Sequence, residues 1–294
     1  MAIRILLILL IGITSSCRLI DQPEKIPSFI HIEDISFSIT NSLQGTQSEK
    51  ITDAWVYVDG NLEGVYELPS TLPLHYEGNH DIRIYAGIKK NGISADREKY
   101  PFYTSYSENV NLVPDSIIEI NPEVYYEDNL YIWIEDFEDP QARFSPFINS
   151  DADITIINSP SNEVFEGKAG AINMNASNFY CELRTDVLEF NNFPTNLNIP
   201  AYIEMNYSCN FPFAIGILHK DASVPAYQKQ PIMTLYPTSE DTLDTWNKTY
   251  LFISDATNFY TSASEFDLYI AVSNSQGNDD IKIRLDNFKV IYRQ

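Results

Sequence analysis

Residues 54–68 read AWVYVDGNLEGVYEL. Over 54–58 small and β-branched residues (Ala54, Val56, Val58) alternate with aromatic ones (Trp55, Tyr57), a second strand-like run follows at 64–68, and Asp59-Gly60-Asn61 lies between the two. Such alternation has the two-residue period of a half-buried strand, and Asp-Gly between two alternating runs is a strong short-range hairpin signal. Similar runs recur at 35–39, 81–88 and 116–120, bounded by Gly, Pro, Asn and Asp, and no segment of useful length sustains a helical period. The expected fold is all-β.

The chain has 294 residues, 44% of them hydrophobic and 13% aromatic, enough apolar material for one large or two ordinary cores. Nineteen Lys and Arg face 41 Asp and Glu, for a net charge of -22. Such a surface repels phosphate backbones and anionic headgroups, so nucleic acid is excluded as a partner.

Residues 1–16 have the layout of a signal peptide. One basic residue, Arg4, precedes a nine-residue apolar core at 5–13 broken only by Gly12, and Thr14-Ser15-Ser16 leads into Cys17. The core is too short for a spanning helix, which needs roughly 20 apolar residues. The stretch resembles the lipobox of bacterial lipoproteins, with Thr14 where that motif usually carries Leu. The resemblance implies that Cys17 carries the lipid and anchors the chain; together with a composition rich in Asn, Ile and Tyr it resembles outer-membrane lipoproteins of the Bacteroidota, on either the periplasmic or the cell-surface face. Ordinary secretion with an incidental thiol is the alternative. No basic patch would assist the anchor, so acyl chains would have to hold it. Residues 17–30, with two prolines and several charges, read as a tether.

Setting Cys17 aside leaves Cys181 and Cys209. Each sits in an alternating run, and residues 191–200 (NNFPTNLNIP) between them read as a turn. A hairpin centred there would place the two cysteines opposite or one residue apart, within disulfide range. A slip of one residue would leave two reduced thiols instead.

A composition shift after Pro122 into an acidic, tyrosine-rich stretch puts a domain boundary near residue 128. The first unit, 31–127, is expected to be a small immunoglobulin-like sandwich. Its run Val56-Tyr57-Val58-Asp59-Gly60, then Gly64, Pro69 and Glu77-Gly78-Asn79-His80-Asp81-Ile82, resembles PEGA-type domains over about sixty residues. Such domains serve as spacers or protein contacts. The second unit, 128–294, carries Asp136-Phe137-Glu138-Asp139, Glu166-Gly167-Lys168-Ala169-Gly170, Thr245-Trp246-Asn247-Lys248 and Ile283-Arg284-Leu285-Asp286-Asn287-Phe288 in order. This resembles the jelly-roll β-sandwich of carbohydrate-binding modules and galactose-binding-like domains.

That second resemblance implies a structural calcium held by Glu138 and Asp286, with Glu135 or Asp136 assisting. Glycan binding in such a fold uses exposed rings that stack on sugar faces. Trp133 and Trp246 lie in alternating strands and read as core, which leaves Tyr180, Tyr202, Tyr227 and Tyr260 as platform candidates. No zincin helix, nucleophile elbow or P-loop occurs, and His75 and His80 lack metal-ligand spacing. Two functions stay open: a non-enzymatic lipoprotein that binds glycan, or a structural subunit of an outer-membrane assembly that binds protein.

Overall fold

The Asp59-Gly60 turn forms as its composition requires. Both residues are left-handed, at φ 48° and 82°, and Val58 pairs with Asn61 across a two-residue connection. This is the hairpin geometry whose twist matches the flanking strands. The fold is described from a computed structural model covering residues 26–158, 162–185, 193–195, 199–221, 223–239 and 243–293. Cys17, the signal segment and most of the proposed tether lie outside the described residues. Among the described residues, no helix is long and apolar enough to cross a membrane.

The N-terminal unit contains β1 (Ser28–Ile32), β2 (Ser36–Ser38), β3 (Asp53–Val58), β4 (Asn61–Glu67), β5 (Ser70–Leu74), β6 (Gly78–Lys89), β7 (Arg97–Lys99), β8 (Tyr106–Leu112), β9 (Ile117–Glu119) and β10 (Glu123–Tyr125). One sheet runs β4-β3-β6-β7 with β8 also on β6; the others are β5-β1-β9 and β10-β2. Alternate residues such as Ile30, Ile32, Ala54, Val56, Val58, Ile82 and Ile84 are fully buried between them. The first strand begins at Ser28, inside the stretch expected to be a tether.

The second unit contains β11 (Leu130–Glu135), β12 (Phe144–Pro146), β13 (Ile154–Asn158), β14 (Lys168–Met174), β15 (Tyr180–Thr185), β16 (Ala201–Cys209), β17 (Phe213–Asp221), β18 (Val224–Leu235), β19 (Asn247–Phe252), the short α1 (Ser254–Phe259), β20 (Ala263–Ser273) and β21 (Ile281–Arg293). It is a jelly-roll sandwich, all-β as expected. A six-stranded sheet runs β13-β14-β21-β16-β19, with β11 also on β21, and a five-stranded sheet runs β12-β15-β20-β17-β18. Their inner faces bury Ile203, Met205, Ile215, Ile217, Leu268, Ile270, Ile283 and Leu285 in one core.

This topology corrects the cysteine hairpin. Cys181 on β15 pairs with Val272 in the five-stranded sheet, whereas Cys209 on β16 pairs with Ile283 in the six-stranded sheet. The chain between them changes sheets, so the ladder that would bring the two sulfurs together does not exist. Both are free, buried thiols. Burial pushes each up to about 11, which suits inert core positions.

The two units share a core. All nine residues of β16 are buried, because its inner face meets the sandwich interior and its outer face meets the N-terminal unit. Tyr202, Tyr250 and Ile291 on the outer face of the six-stranded sheet join Tyr100, Phe102 and Tyr103 in one aromatic cluster. Tyr202 lies edge-on to Tyr100 at 5.3 Å and to Phe102 at 5.9 Å. Among these rings Glu204 is fully buried and accepts hydrogen bonds from the hydroxyls of Tyr100 (2.7 Å) and Tyr126 (3.0 Å). Lys248 reaches the other carboxylate oxygen at 2.9 Å.

Candidate functional site

Because the N-terminal unit covers the outer face of the six-stranded sheet, the outer face of the five-stranded sheet is the broad surface left to consider. Strand alternation puts Tyr180, Glu182 and Arg184 of β15 on it. The ladder sets Arg184 beside Tyr269 of β20, and two residues along that strand Asp267 points the same way. From β18, Lys229 and Tyr227 both cross to the face, and the Tyr227 ring reaches Phe147 at 5.9 Å, edge-on. Phe147 joins from the edge, where its amide extends the β12 pairing by donating to Glu182 O at 2.7 Å.

Gly216 of β17 explains how Tyr269 lies across the sheet. A Cβ there would come within 2.4 Å of the Gln230 carbonyl oxygen on β18 and within 2.5 Å of the Tyr269 ring. The missing side chain is the space the ring occupies.

Charge and ring alternate across this face. Glu182 is fully buried, and one of its oxygens accepts from both the Tyr180 hydroxyl and Lys229. Its other oxygen, Oε1, is buried with no hydrogen-bond partner among the described residues. Lys229 Nζ also donates to the Tyr180 hydroxyl at 3.0 Å and lies 5.4 Å from the centre of that ring. The Arg184 guanidinium is 3.6 Å from Asp267 and sits over Phe147 at 5.0 Å and Tyr227 at 5.4 Å. Tyr227 donates to Glu265 at 2.7 Å, and Lys220 pairs with the same carboxylate at 3.1 Å. The Tyr227 hydrogen bond, backed by Lys220, holds Glu265 below the usual carboxylate range. Burial, reinforced by Glu265, pushes the Tyr227 hydroxyl up. The face thus offers ring surfaces for apolar C–H groups, with fixed charged donors and acceptors between them.

Of the four tyrosines expected as a platform, the structure brings Tyr180 and Tyr227 to this face. Tyr202 is corrected: it is fully buried in the contact between the two units. Tyr260 stacks on the buried His219 at 3.6 Å and donates to Gln230 at 2.9 Å, away from the other two. Trp133 is core as expected, whereas Trp246 is half-buried against Phe165 at 5.6 Å. Residue reading passed over Glu182, Arg184, Lys229, Phe147 and Tyr269. The i, i+2, i+4 spacing of Tyr180, Glu182 and Arg184 signals the first two, but the others come from distant strands and need the register.

The expected calcium quartet is not assembled. Both Glu135 oxygens accept backbone amides, from Phe137 at 2.7 Å and from Arg143. Glu138 accepts the Lys168 amide at 2.8 Å and faces its ammonium at 3.7 Å. Asp286 accepts the amides of Asn287 at 2.7 Å and Glu166 at 3.2 Å, and Asp136 takes the Glu138 amide at 3.2 Å. Burial, with Glu166 and Asp136 nearby, pushes Asp286 up to about 8. Among the described residues no three His, Cys, Asp or Glu side chains converge to hold a metal ion. Away from the sandwich, His80 bonds Asp59 at 2.7 Å, which raises it above the usual imidazole range, while His75 is exposed.

No family model matches the chain, and no curated protein does. Several solved structures are similar in fold. A xylan-binding domain of carbohydrate-binding module family 22 is 13% identical, with a TM-score of 0.35, over 57% of this chain and 96% of that one. A carbohydrate-binding module of the β-sandwich superfamily is 12% identical, with a TM-score of 0.37, over 81% and 83%. The family 11 module of the cellulase Lic26A-Cel5E of Clostridium thermocellum is 9% identical, with a TM-score of 0.39, over 54% and 94%.

Proposed function

We propose that the protein is a non-catalytic glycan-binding protein whose ligand lies along the outer face of the five-stranded sheet. One observation carries this reading: Tyr180, Tyr227 and Phe147 alternate on that face with Glu182, Arg184 and Lys229, and the charged groups are already held by one another. Rings of this kind cover the apolar faces of sugars, and preset charged groups bond hydroxyls with little ordering cost.

The test is affinity electrophoresis of the whole protein through gels containing xylan, mannan or β-glucan. The whole chain is required because the two units share a core. Retardation on at least one polysaccharide is expected, and Tyr180→Ala with Lys229→Ala should weaken it about tenfold or more, since each lost stacking or charged contact is worth about 1–3 kcal/mol. No retardation on any glycan, with native-membrane purification yielding a stoichiometric protein partner instead, would replace glycan with protein as the ligand.

The same reading keeps lipid display at an outer membrane through Cys17, supported by the apolar core at 5–13 and the small residues before that cysteine. Intact-mass spectrometry of the cell-purified protein checks it: an acylated N-terminal cysteine is expected, and an unmodified thiol would refute the anchor.

A further inference from the structure

The two units meet at a second feature. The turn after β6 is left-handed at Asn91 (φ 56°) and Gly92 (φ 69°). It docks on the edge strand β19: the Asn91 amide donates to Tyr250 O at 2.8 Å, and Asn91 Oδ1 accepts the Phe252 amide at 2.8 Å. The turn thereby roofs the gap between β19 and β18, the edge strands of the two sandwich sheets. Beneath it lies a cleft of about 400 Å³, a size usual for small-molecule sites.

Its lining is unusual for this chain. Lys50, Lys89 and Lys248 line it and no Asp or Glu does, in a protein with 41 acidic and 19 basic residues. Lys248 is matched by Glu204 and Lys89 by Glu67 at 3.2 Å, but Lys50 has no carboxylate partner among the described residues and donates to Asn247 Oδ1. On the inner wall, Thr249 Oγ1 is buried with no hydrogen-bond partner among the described residues. Met233 and Leu235 supply an apolar side.

We infer that this junction cleft binds a small carboxylated saccharide. Lys50 and Lys89 flank the place for the carboxylate, Asn247 and Thr249 offer bonds to hydroxyls, and the Met233–Leu235 wall accepts the C–H face of the ring. Both units supply the groups, so the site exists only in their docked arrangement. It is independent of the sheet face and can stand or fall alone.

Calorimetric titration of the whole protein with sodium D-galacturonate, D-galactose and inorganic phosphate tests it. Galacturonate should bind saturably and at least about tenfold more tightly than galactose or phosphate, and the double substitution Lys50→Gln, Lys89→Gln should weaken it by a similar factor. Tyr180→Ala, on the sheet face, should leave galacturonate affinity unchanged. In ¹⁵N spectra the side-chain amides of Asn91 and Asn247 should shift with galacturonate. The site is refuted by absent saturable binding, by galactose or phosphate binding equally well, or by unchanged affinity in a double variant whose thermal midpoint stays within about 2 °C of the parent.

Discussion

Single side chains at the contact between the two units carry large energies. Glu204 is the one carboxylate against which both Lys248 and Lys289 are set, and all three are buried. Burial raises its carboxyl, but the two lysines and the tyrosine hydroxyls outweigh that and hold it below the usual range. Glu204→Ala removes the carboxylate that Lys248 contacts and that attracts Lys289 most strongly, so a loss of about 3–5 kcal/mol is expected in urea unfolding. Lys289 shows the other side of the balance: burial pulls its ammonium down to about 7 against the attraction of Glu204. A base whose folded value lies below its unfolded one of 10.5 imposes its full cost below about pH 7, and the cost fades as pH rises. The stability of the parent relative to Lys289→Met should therefore grow between pH 7 and 9, by up to about 1.4 kcal/mol per pH unit. A flat difference across pH 6–9 would mean that Lys289 titrates normally.

Strands decide what these residues become. Tyr180, Glu182 and Arg184 read as one face of a strand in the sequence, and β15 presents them so. The hairpin imagined between Cys181 and Cys209 had equally good local signals and failed, because turn-like residues between two alternating runs also suit a crossing from one sheet to the other. Local pattern fixes which way a side chain points but not which strand lies beside it. Gly216 is a further case. Its role is visible only once β17 lies beside β20 and the Tyr269 ring fills the place of its side chain. Gly216→Val should displace that ring and push the β18 backbone at Gln230, cost about 1–3 kcal/mol, and weaken polysaccharide retardation along with it. Retardation unchanged at full stability would remove Tyr269 from the binding face.

Across the whole molecule, the N-terminal unit is fused to the sandwich rather than strung ahead of it. Tyr202, Tyr250 and Ile291 are buried against its aromatic residues, and Lys289 donates to Thr46 O and the Tyr126 hydroxyl at 3.3 Å each. Cutting at residue 128 would expose three large side chains, a loss on the order of 5 kcal/mol or more at about 1.5–3 kcal/mol each. A 128–294 fragment should bind a hydrophobic dye and melt well below the whole protein, and the whole protein should unfold in one calorimetric transition. Two separate transitions, the later one matching the fragment, would contradict the shared core. The arrangement also covers the outer face of one sheet of the sandwich and leaves that of the other.

The all-β architecture, the Asp59-Gly60 hairpin and the strand faces are legible in the residues alone, because they follow from two-residue periodicity and from turn residues that tolerate positive φ. The alternation also points to Tyr180 and Tyr227, which the structure brings to one face. That Tyr202 is interior, that Cys181 and Cys209 belong to different sheets, and that Glu182, Arg184, Lys229 and Tyr269 stand together follows from the packed fold. Sheet register, and the docking of one unit on another, bring together residues far apart in the chain. An alternating strand such as β16 looks the same in sequence whether its polar face meets water or, as here, a second core.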